Sequence, residues 1–131
     1  MTLNVLNEHF AVVDKYNTAR TMLQRLRDST GLKAQAITGM PHGTGVNDTV
    51  GAMVVEITHM EERVNELAKL TAESAAPIEA WISGIDDFYT QTIFRLRFLH
   101  GMTWQEVADR IGGGNTVQSV QMICYRKISQ L

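Results

Sequence analysis

The sequence has few of the residues and segments that build crosslinks, membrane spans or secretion signals. One of its 131 residues is a cysteine, Cys124, so no disulfide can form within the chain. No stretch is apolar over the ~20 residues that a membrane-spanning helix needs. The sequence does not open with the basic and apolar segment of a secretion signal. We therefore expect a cytoplasmic protein without membrane contact.

Groups that would carry catalysis or hold a metal ion are few and scattered. The histidines at positions 9, 42, 59 and 100 are scattered and have no ligand three or four residues away beyond isolated acids, which is not the ligand set of a metal site. The adjacent acids Glu61-Glu62 and Asp86-Asp87 point to different faces of a helix, unlike paired catalytic carboxylates. The glycine-rich segment 39–45 lacks the Gly-Lys-Ser/Thr ending of a phosphate loop. We expect no catalytic residue, no metal and no cofactor.

What the chain does have is a succession of three apolar-striped segments in its last third. Thr103 and Glu106 have the spacing of a capping box, which satisfies two free amides at a helix start, so a helix should begin at Thr103. Ala108 lies on the apolar stripe of that helix and lets another helix approach closely. Gly112 suits the left-handed position just after the helix end. The segment before Gly101 predicts a preceding helix.

The third segment predicts a helix with one apolar and one polar side. Asn115 with Gln118 offers its cap. The apolar side carries Val120, Ile123, Ile128, Leu131 and the stem of Lys127. Three helices with a Gly-centred turn predict a trihelical helix-turn-helix. Because its last helix presents an exposed side to base edges in the major groove, the expected function is sequence-specific binding of double-stranded DNA.

The same residues resemble a known family. Residues 93–108 read Ile-Phe-Arg-Leu-Arg-Phe-Leu-His-Gly-Met-Thr-Trp-Gln-Glu-Val-Ala. This run is similar to region 4 of the bacterial sigma-70 factors, and residues 120–131 resemble the end of that region. The wider layout is similar to small region 4-like regulators encoded by phages and mobile elements of Gram-positive bacteria. The resemblance implies a transcription regulator in which Gln118, Gln121 and Met122 stand at the base-contacting positions.

Polar or exposed positions around the third helix make up the expected DNA surface, and two further positions hold the backbone. Contacts from the third helix are expected from Thr116, Gln118, Ser119, Gln121, Met122, Tyr125 and Arg126. Arg97 and Gln105 are expected to hold the phosphate backbone, together with the amides at the start of the second helix.

Two features depart from the usual motif. Ala108 and Val120 are twelve positions apart, two more than usual, which indicates a longer turn near Gly113 and Gly114. Residues 95–131 hold five basic residues against two acidic ones, whereas the whole chain has a net charge of −2. Since phosphate contacts supply most non-specific affinity, one copy should bind weakly. We expect a homo-oligomer, a second DNA-bound protein or RNA polymerase to supply the remaining affinity for DNA.

The N-terminal part predicts two long amphipathic helices. Apolar residues recur at spacings of three and four over residues 3–26, in a helix that should end near Gly31. The same spacing covers residues 50–67 for nearly three heptads. Two such helices would form an antiparallel hairpin. Leftover apolar surface indicates coiled-coil self-association or a protein partner.

Breaks in the pattern suggest the organisation of the chain. Residues 38–47, with several glycines and a proline, predict a connector, after which Asp48 caps the second helix. Pro77 predicts a break or kink, because it lacks an amide donor. Asp86 is expected to cap the next helix. The fold class is therefore all-α, a long N-terminal helical hairpin followed by a trihelical helix-turn-helix module, with 1–76 the association region and 77–131 the DNA-binding module.

Other interpretations remain open at this point. Capped helices around a glycine turn need not touch DNA, and a heptad stripe can be intramolecular core. The module could belong to an adaptor that binds RNA polymerase or a sigma factor without DNA contact, or to a phage packaging small subunit. Trp104 is expected to pack against the first helix of the module, and Cys124 to act as a small apolar residue.

Overall fold

The computed structural model describes residues 1–37 and 44–129, with side chains for 1–29 and 51–129. Within these ranges the chain is all-helical and has no strand, which confirms the predicted class. Its helices are α1 (Leu3–Ile37), α2 (Thr44–Ser83), α3 (Phe88–Phe94), α4 (Trp104–Ile111) and α5 (Val117–Ser129). The turn Arg95–Leu99 continues α3 as a π-helix. In the described ranges, no helix is both long and apolar enough to cross a membrane.

The contacts divide the chain into two compact units. Unit 1 contains Met1–Lys15 and Lys69–Leu131, and unit 2 contains Tyr16–Ala68. Unit 1 thus joins the first turns of α1 to the end of α2 and to the three short helices. The predicted boundary after residue 76 falls inside α2. The division of the chain into 1–76 and 77–131 stays a prediction.

The core of unit 1 takes apolar side chains from every helix in that unit. Its largest fully buried members are Leu6, Ile78, Ile82, Ile93, Phe94, Phe98, Val107, Val120 and Cys124. The rings of Phe94 and Phe98 have centroids 5.8 Å apart, and Trp81 meets Phe94 edge to face at 5.1 Å. Such aromatic pairs stabilise a core beyond the area that they bury. The start of α1 is therefore part of the core that holds the short helices.

Unit 2 contains the remaining parts of α1 and α2. Ala19, Leu23 and Leu67 are buried there. Met53, Ile57, Met60 and Val64 are partly buried, at positions of the predicted apolar stripe. Arg27 and Glu61 form an ion pair at 3.6 Å with both side chains about half exposed, so it contributes little to stability.

Helix α2 runs through Pro77, where the sequence predicted a break or kink. The missing proline amide leaves the carbonyl of Glu73 without its helical donor. Both residues are exposed, so water can satisfy that carbonyl. The alanines on either side are strong helix formers. Burial of Ile78 and Ile82 beyond the proline holds the last turns in place.

Both long helices extend further than the sequence predicted. Helix α1 continues through Gly31 to Ile37, because the Leu-Lys-Ala-Gln-Ala run after the glycine favours helix. Helix α2 begins at Thr44, before the predicted cap Asp48. Of the predicted connector, residues 44–47 are helical and residues 38–43 lie outside the described part of the chain. Leu131, predicted on the apolar side of the last helix, also lies outside it.

Helix α3 is capped by Asp87, one residue after the predicted Asp86. The carboxylate of Asp87 accepts hydrogen bonds from two amides of the first turn at 3.2 and 3.3 Å, and from the Thr90 hydroxyl at 2.6 Å. The hydroxyl bond holds the pKa of Asp87 below its ordinary value. The helical segment ends at Leu99 with His100 as its cap, and Gly101, with a φ of 73°, follows as the predicted stop.

Leu6→Ala tests whether the start of α1 belongs to the core of unit 1. Leu6 is fully buried, whereas its neighbour Val5 is 42% exposed. Leu6→Ala should lower the free energy of unfolding by about 2 to 5 kcal/mol in urea denaturation. The control Val5→Ala should change it by less than about 0.5 kcal/mol. Equal losses would show that this segment does not pack in the core.

His9 is buried on the same segment of α1. Its Nδ1 lies 2.6 Å from the hydroxyl oxygen of Ser74, and 2% of the residue is exposed. Its Nε2 has no hydrogen-bond partner in the described part of the chain. Burial disfavours the charged ring and lowers the pKa of His9 below its ordinary value.

This burial predicts a pH dependence of stability. The unfolded chain protonates His9 near pH 6.5 and the folded chain only at lower pH, so stability is full above about pH 6.5 and falls below it. His9→Gln stays polar beside Ser74 but does not titrate, so it should flatten the fall between about pH 7.5 and 5.5 in urea denaturation. His59→Gln, at an exposed position, is the control and should keep the wild-type fall. An unchanged fall in His9→Gln would contradict a buried neutral ring.

Candidate nucleic-acid interface

Helix α4 begins with the capping box that the sequence predicted. The Thr103 hydroxyl accepts from the amide of Glu106 at 3.1 Å, and the Glu106 carboxylate accepts from the amide of Thr103 at 3.2 Å. The helix ends at Ile111, and its cap Gly112 has a left-handed φ of 68°. Val107 and Ala108 are buried. The predicted cap, the stop and the small buried residue are confirmed.

Three consecutive glycines form the turn between α4 and α5. Gly112, Gly113 and Gly114 have φ values of 68°, 64° and 80°, which residues with a Cβ disfavour. A Cβ at Gly112 or Gly114 would meet no atom within 4 Å, so backbone conformation, and not lack of space, requires glycine. The Asn115 side-chain amide donates to the Gly112 carbonyl at 2.7 Å and to the Tyr89 hydroxyl. These two bonds close the turn and join it to α3.

Thr116 and Ser119 cap the start of α5. The amide of Ser119 donates to the Thr116 hydroxyl at 3.1 Å, and the amide of Thr116 donates to the Ser119 hydroxyl at 2.9 Å. The predicted cap of Asn115 with Gln118 is therefore wrong, because the Asn115 amide is used in the turn and Gln118 is exposed. The hydroxyls of Thr116 and Ser119, two residues predicted to contact DNA, thus form the cap of α5.

The inner side of α5 is buried in the core. Val120 and Cys124 have no exposed surface. Burial raises the pKa of Cys124 to about 12, so the thiol stays uncharged and unreactive at neutral pH. Cys124 thus acts as a small apolar residue, as predicted.

The opposite side of α5 faces solvent. We call this surface the outer face, and it consists of Gln118, Gln121, Met122, Tyr125 and Arg126. Spacings of three and four residues place these side chains on one side of the helix. Gln121 is partly buried and the other four are exposed. The structure thus brings together five of the nine residues predicted to contact DNA.

Edge-to-face aromatic contacts connect the outer face to the core. The rings of Tyr125 and Trp104 are 6.2 Å apart at 71°, and those of Trp104 and Phe98 are 6.2 Å apart at 89°. Trp104 therefore packs against the helix before it, as predicted. Trp104 is also the first residue of α4, so its contact with Tyr125 joins α5 to the start of α4.

Arg97, predicted to hold the DNA backbone, is enclosed within unit 1. Its guanidinium carbon lies 3.8 Å from the ring centroid of Phe10 and 4.5 Å from that of Trp104. One guanidinium nitrogen donates to the Met102 carbonyl at 3.0 Å. Burial lowers the pKa of Arg97, although the group stays charged at neutral pH. Arg97 therefore fixes the turn before α4 and is not part of the outer face.

Phe10 is the residue near this site that sequence reasoning missed. It belongs to the apolar stripe of α1, which the sequence assigned to a helical hairpin. No spacing along the chain relates Phe10 to Arg97.

The positive charges of α5 lie at its C-terminal end. Residues 117–125 contain no charged side chain. Arg126 and Lys127 follow them, and Arg110 is exposed on α4. Gln105 is also exposed on α4, where its side-chain amide donates to Asp109 at 2.9 Å. Its contact with the DNA backbone stays a prediction.

Comparisons with known proteins assign no family to this surface. Searches against protein-family models, curated proteins and solved structures found no match to the chain. Among the described residues, no three His, Cys, Asp or Glu side chains form a group that could hold a metal ion. The support for a function therefore comes from the residues and their geometry.

Arg97→Lys measures what the enclosed guanidinium contributes to stability. Lysine keeps the charge but cannot lie flat against two rings, so the free energy of unfolding should fall by about 1 to 2 kcal/mol. The control is Arg95→Lys, because Arg95 forms a partly exposed ion pair with Glu79 at 3.1 Å. It should cost less than about 1 kcal/mol in urea denaturation. Similar losses in both variants would contradict the enclosure of Arg97.

Proposed function

We propose that this protein is a sequence-specific DNA-binding regulator of transcription. Helices α3, α4 and α5 form a helix-turn-helix of the sigma region 4 type, and the outer face of α5 enters the major groove. The parts of α1 and α2 in unit 2 form a hairpin that serves association. The observation that supports the proposal most is that the residues of the outer face are contiguous and open to solvent, while the opposite side of α5 is packed in the core.

A helix that reads DNA must be held rigidly and still leave one side open. Helix α5 contacts both α3 and α4, and its first turn is capped. Val120 and Cys124 fix its inner side. On the outer face, Met122 and Tyr125 are each 43% exposed. An α-helix is roughly 10 to 12 Å across, which matches a major groove ~12 Å wide.

Each residue of the surface then has a role. Gln118, Gln121 and Met122 face base edges, while Tyr125 and Arg126 lie towards the phosphates. On α4, the exposed Gln105 and the first-turn amides that the capping box leaves free hold the DNA backbone. The capping pair of α5 and the enclosed Arg97 act indirectly, because they set the position of the helices that touch DNA.

Charge limits the affinity of a single copy. The chain has a net charge of −2, and Arg126 is the one cation of the outer face. Since counterion release from phosphates supplies much of the affinity for DNA, this surface alone binds weakly. Two copies bound together, or one copy beside RNA polymerase, overcome this limit. Val54 and Val55 in unit 2, 53% and 52% exposed, support association.

Arg126→Ala and Gln121→Ala should weaken DNA binding in different ways. Arg126→Ala removes a phosphate contact, so affinity should fall on every sequence and the salt dependence should become shallower by about one ion. Gln121→Ala should cost about 1 to 3 kcal/mol on a selected site and little on random duplex. Fluorescence anisotropy of the full chain with labelled duplexes over a range of salt measures both effects.

Gln24→Ala, at an exposed position of α1 in unit 2, is the control and should bind like wild type. Sedimentation of the same complexes counts the copies per duplex. Absence of any salt-dependent complex with wild type would contradict the proposal and favour an adaptor that binds RNA polymerase or a sigma factor without DNA.

A further inference from the structure

We infer that the outer face of α5 reads A·T base pairs, so that the cognate site holds a short A·T segment beneath the first two turns of this helix. The inference rests on the proposed function and deepens it, because it names the class of DNA sequence that the same surface recognises. It follows from which chemical groups those two turns present.

The first two turns of α5 present amides and a thioether to solvent. Gln118 is exposed, Gln121 is partly exposed and Met122 is 43% exposed. Residues 117–125 contain no Arg, Lys, Asp or Glu. The hydroxyls at the helix start are bound within the cap. The groups that can reach base edges there are therefore two primary amides and one apolar side chain.

Each base shows different groups in the major groove. Guanine presents two acceptors, which match Arg or Lys, and cytosine presents a donor, which matches Asp or Glu. Adenine presents one donor beside one acceptor, and a glutamine amide matches both at once. Thymine presents a methyl group that an apolar side chain contacts. Gln118 and Gln121 thus match adenine, Met122 matches thymine, and these turns hold no preferred partner for G·C.

The spacing of the three side chains sets the length of the segment. Gln118 and Met122 are one turn apart, which is ~6 Å along the helix axis. Successive base pairs lie ~3.4 Å apart along one strand. The two side chains can therefore address base pairs one or two steps apart, with Gln121 between them. We expect about three consecutive A·T pairs in each half-site.

The cations of α5 lie beyond the two turns that are proposed to read A·T pairs. Arg126 stands one turn after Met122, at the C-terminal end of α5, and is exposed. Lys127 is partly buried, and its charge acts on Asp87 at the start of α3. Arg126 suits a phosphate at the edge of the site. The A·T preference therefore applies to the central pairs.

Selection from a random duplex library with the full chain, followed by sequencing, tests the inference. Wild type should enrich about three adjacent A·T pairs. Gln118→Ala should bind the enriched site about tenfold more weakly and lose the preference at one position. Gln118→Arg should change the preferred base at that position from adenine to guanine, because a guanidinium matches the two acceptors of guanine.

Gln24→Arg adds the same charge on α1 in unit 2 and should keep the A·T preference. Thermal melting followed by circular dichroism should show that each variant folds like wild type. Enrichment of a G·C segment that Gln118→Ala abolishes would overturn the A·T inference and leave DNA binding intact. An unchanged base preference in Gln118→Arg would overturn the role of Gln118. Failure of wild type to enrich any sequence would instead overturn the proposed function.

Discussion

Burial of the inner side of α5 in the aromatic core of unit 1 is the constraint on which the proposed site depends. Val120 and Cys124 lie in the same core as Phe94 and Phe98, and this packing directs the other side of α5 outward. A helix held in this way keeps polar side chains in fixed positions before it meets a ligand, which lowers the entropy cost of binding. Leu6 lies in the same core. The start of α1 therefore helps to hold α5 in place, although it contributes no residue to the outer face.

The fold was predictable where a few neighbouring residues determine the structure. The capping box at Thr103 and the glycine stop at Gly112 depend on residues within one or two turns, and both are as predicted. Where tertiary burial outweighs local preference, the predicted helix break does not occur, as at Pro77 inside α2. The packing of Leu6 against the C-terminal helices could not be predicted, because no local spacing records a contact between distant segments.

The same division holds for the candidate site. The outer face followed from helical periodicity, because period alone separates Gln118 and Met122 from the buried Val120. The partner of a polar side chain does not follow from its type. Arg97 is cationic like Arg126, yet its guanidinium contacts two aromatic rings and a carbonyl. One of the rings belongs to Phe10 on α1, which is distant along the chain. The sequence therefore predicted which residues form the outer face of α5. It did not predict that Arg97 contacts the core of unit 1.

The central claim is that duplex DNA contacts the outer face of α5. Its most direct test is an NMR titration of the isotope-labelled full chain with a selected duplex. The side-chain amide signals of Gln118 and Gln121 should shift with bound DNA, while that of Gln24 on α1 should stay in place. Shifts confined to unit 2, or a bound duplex that leaves the signals of Gln118 and Gln121 unchanged, would contradict the account.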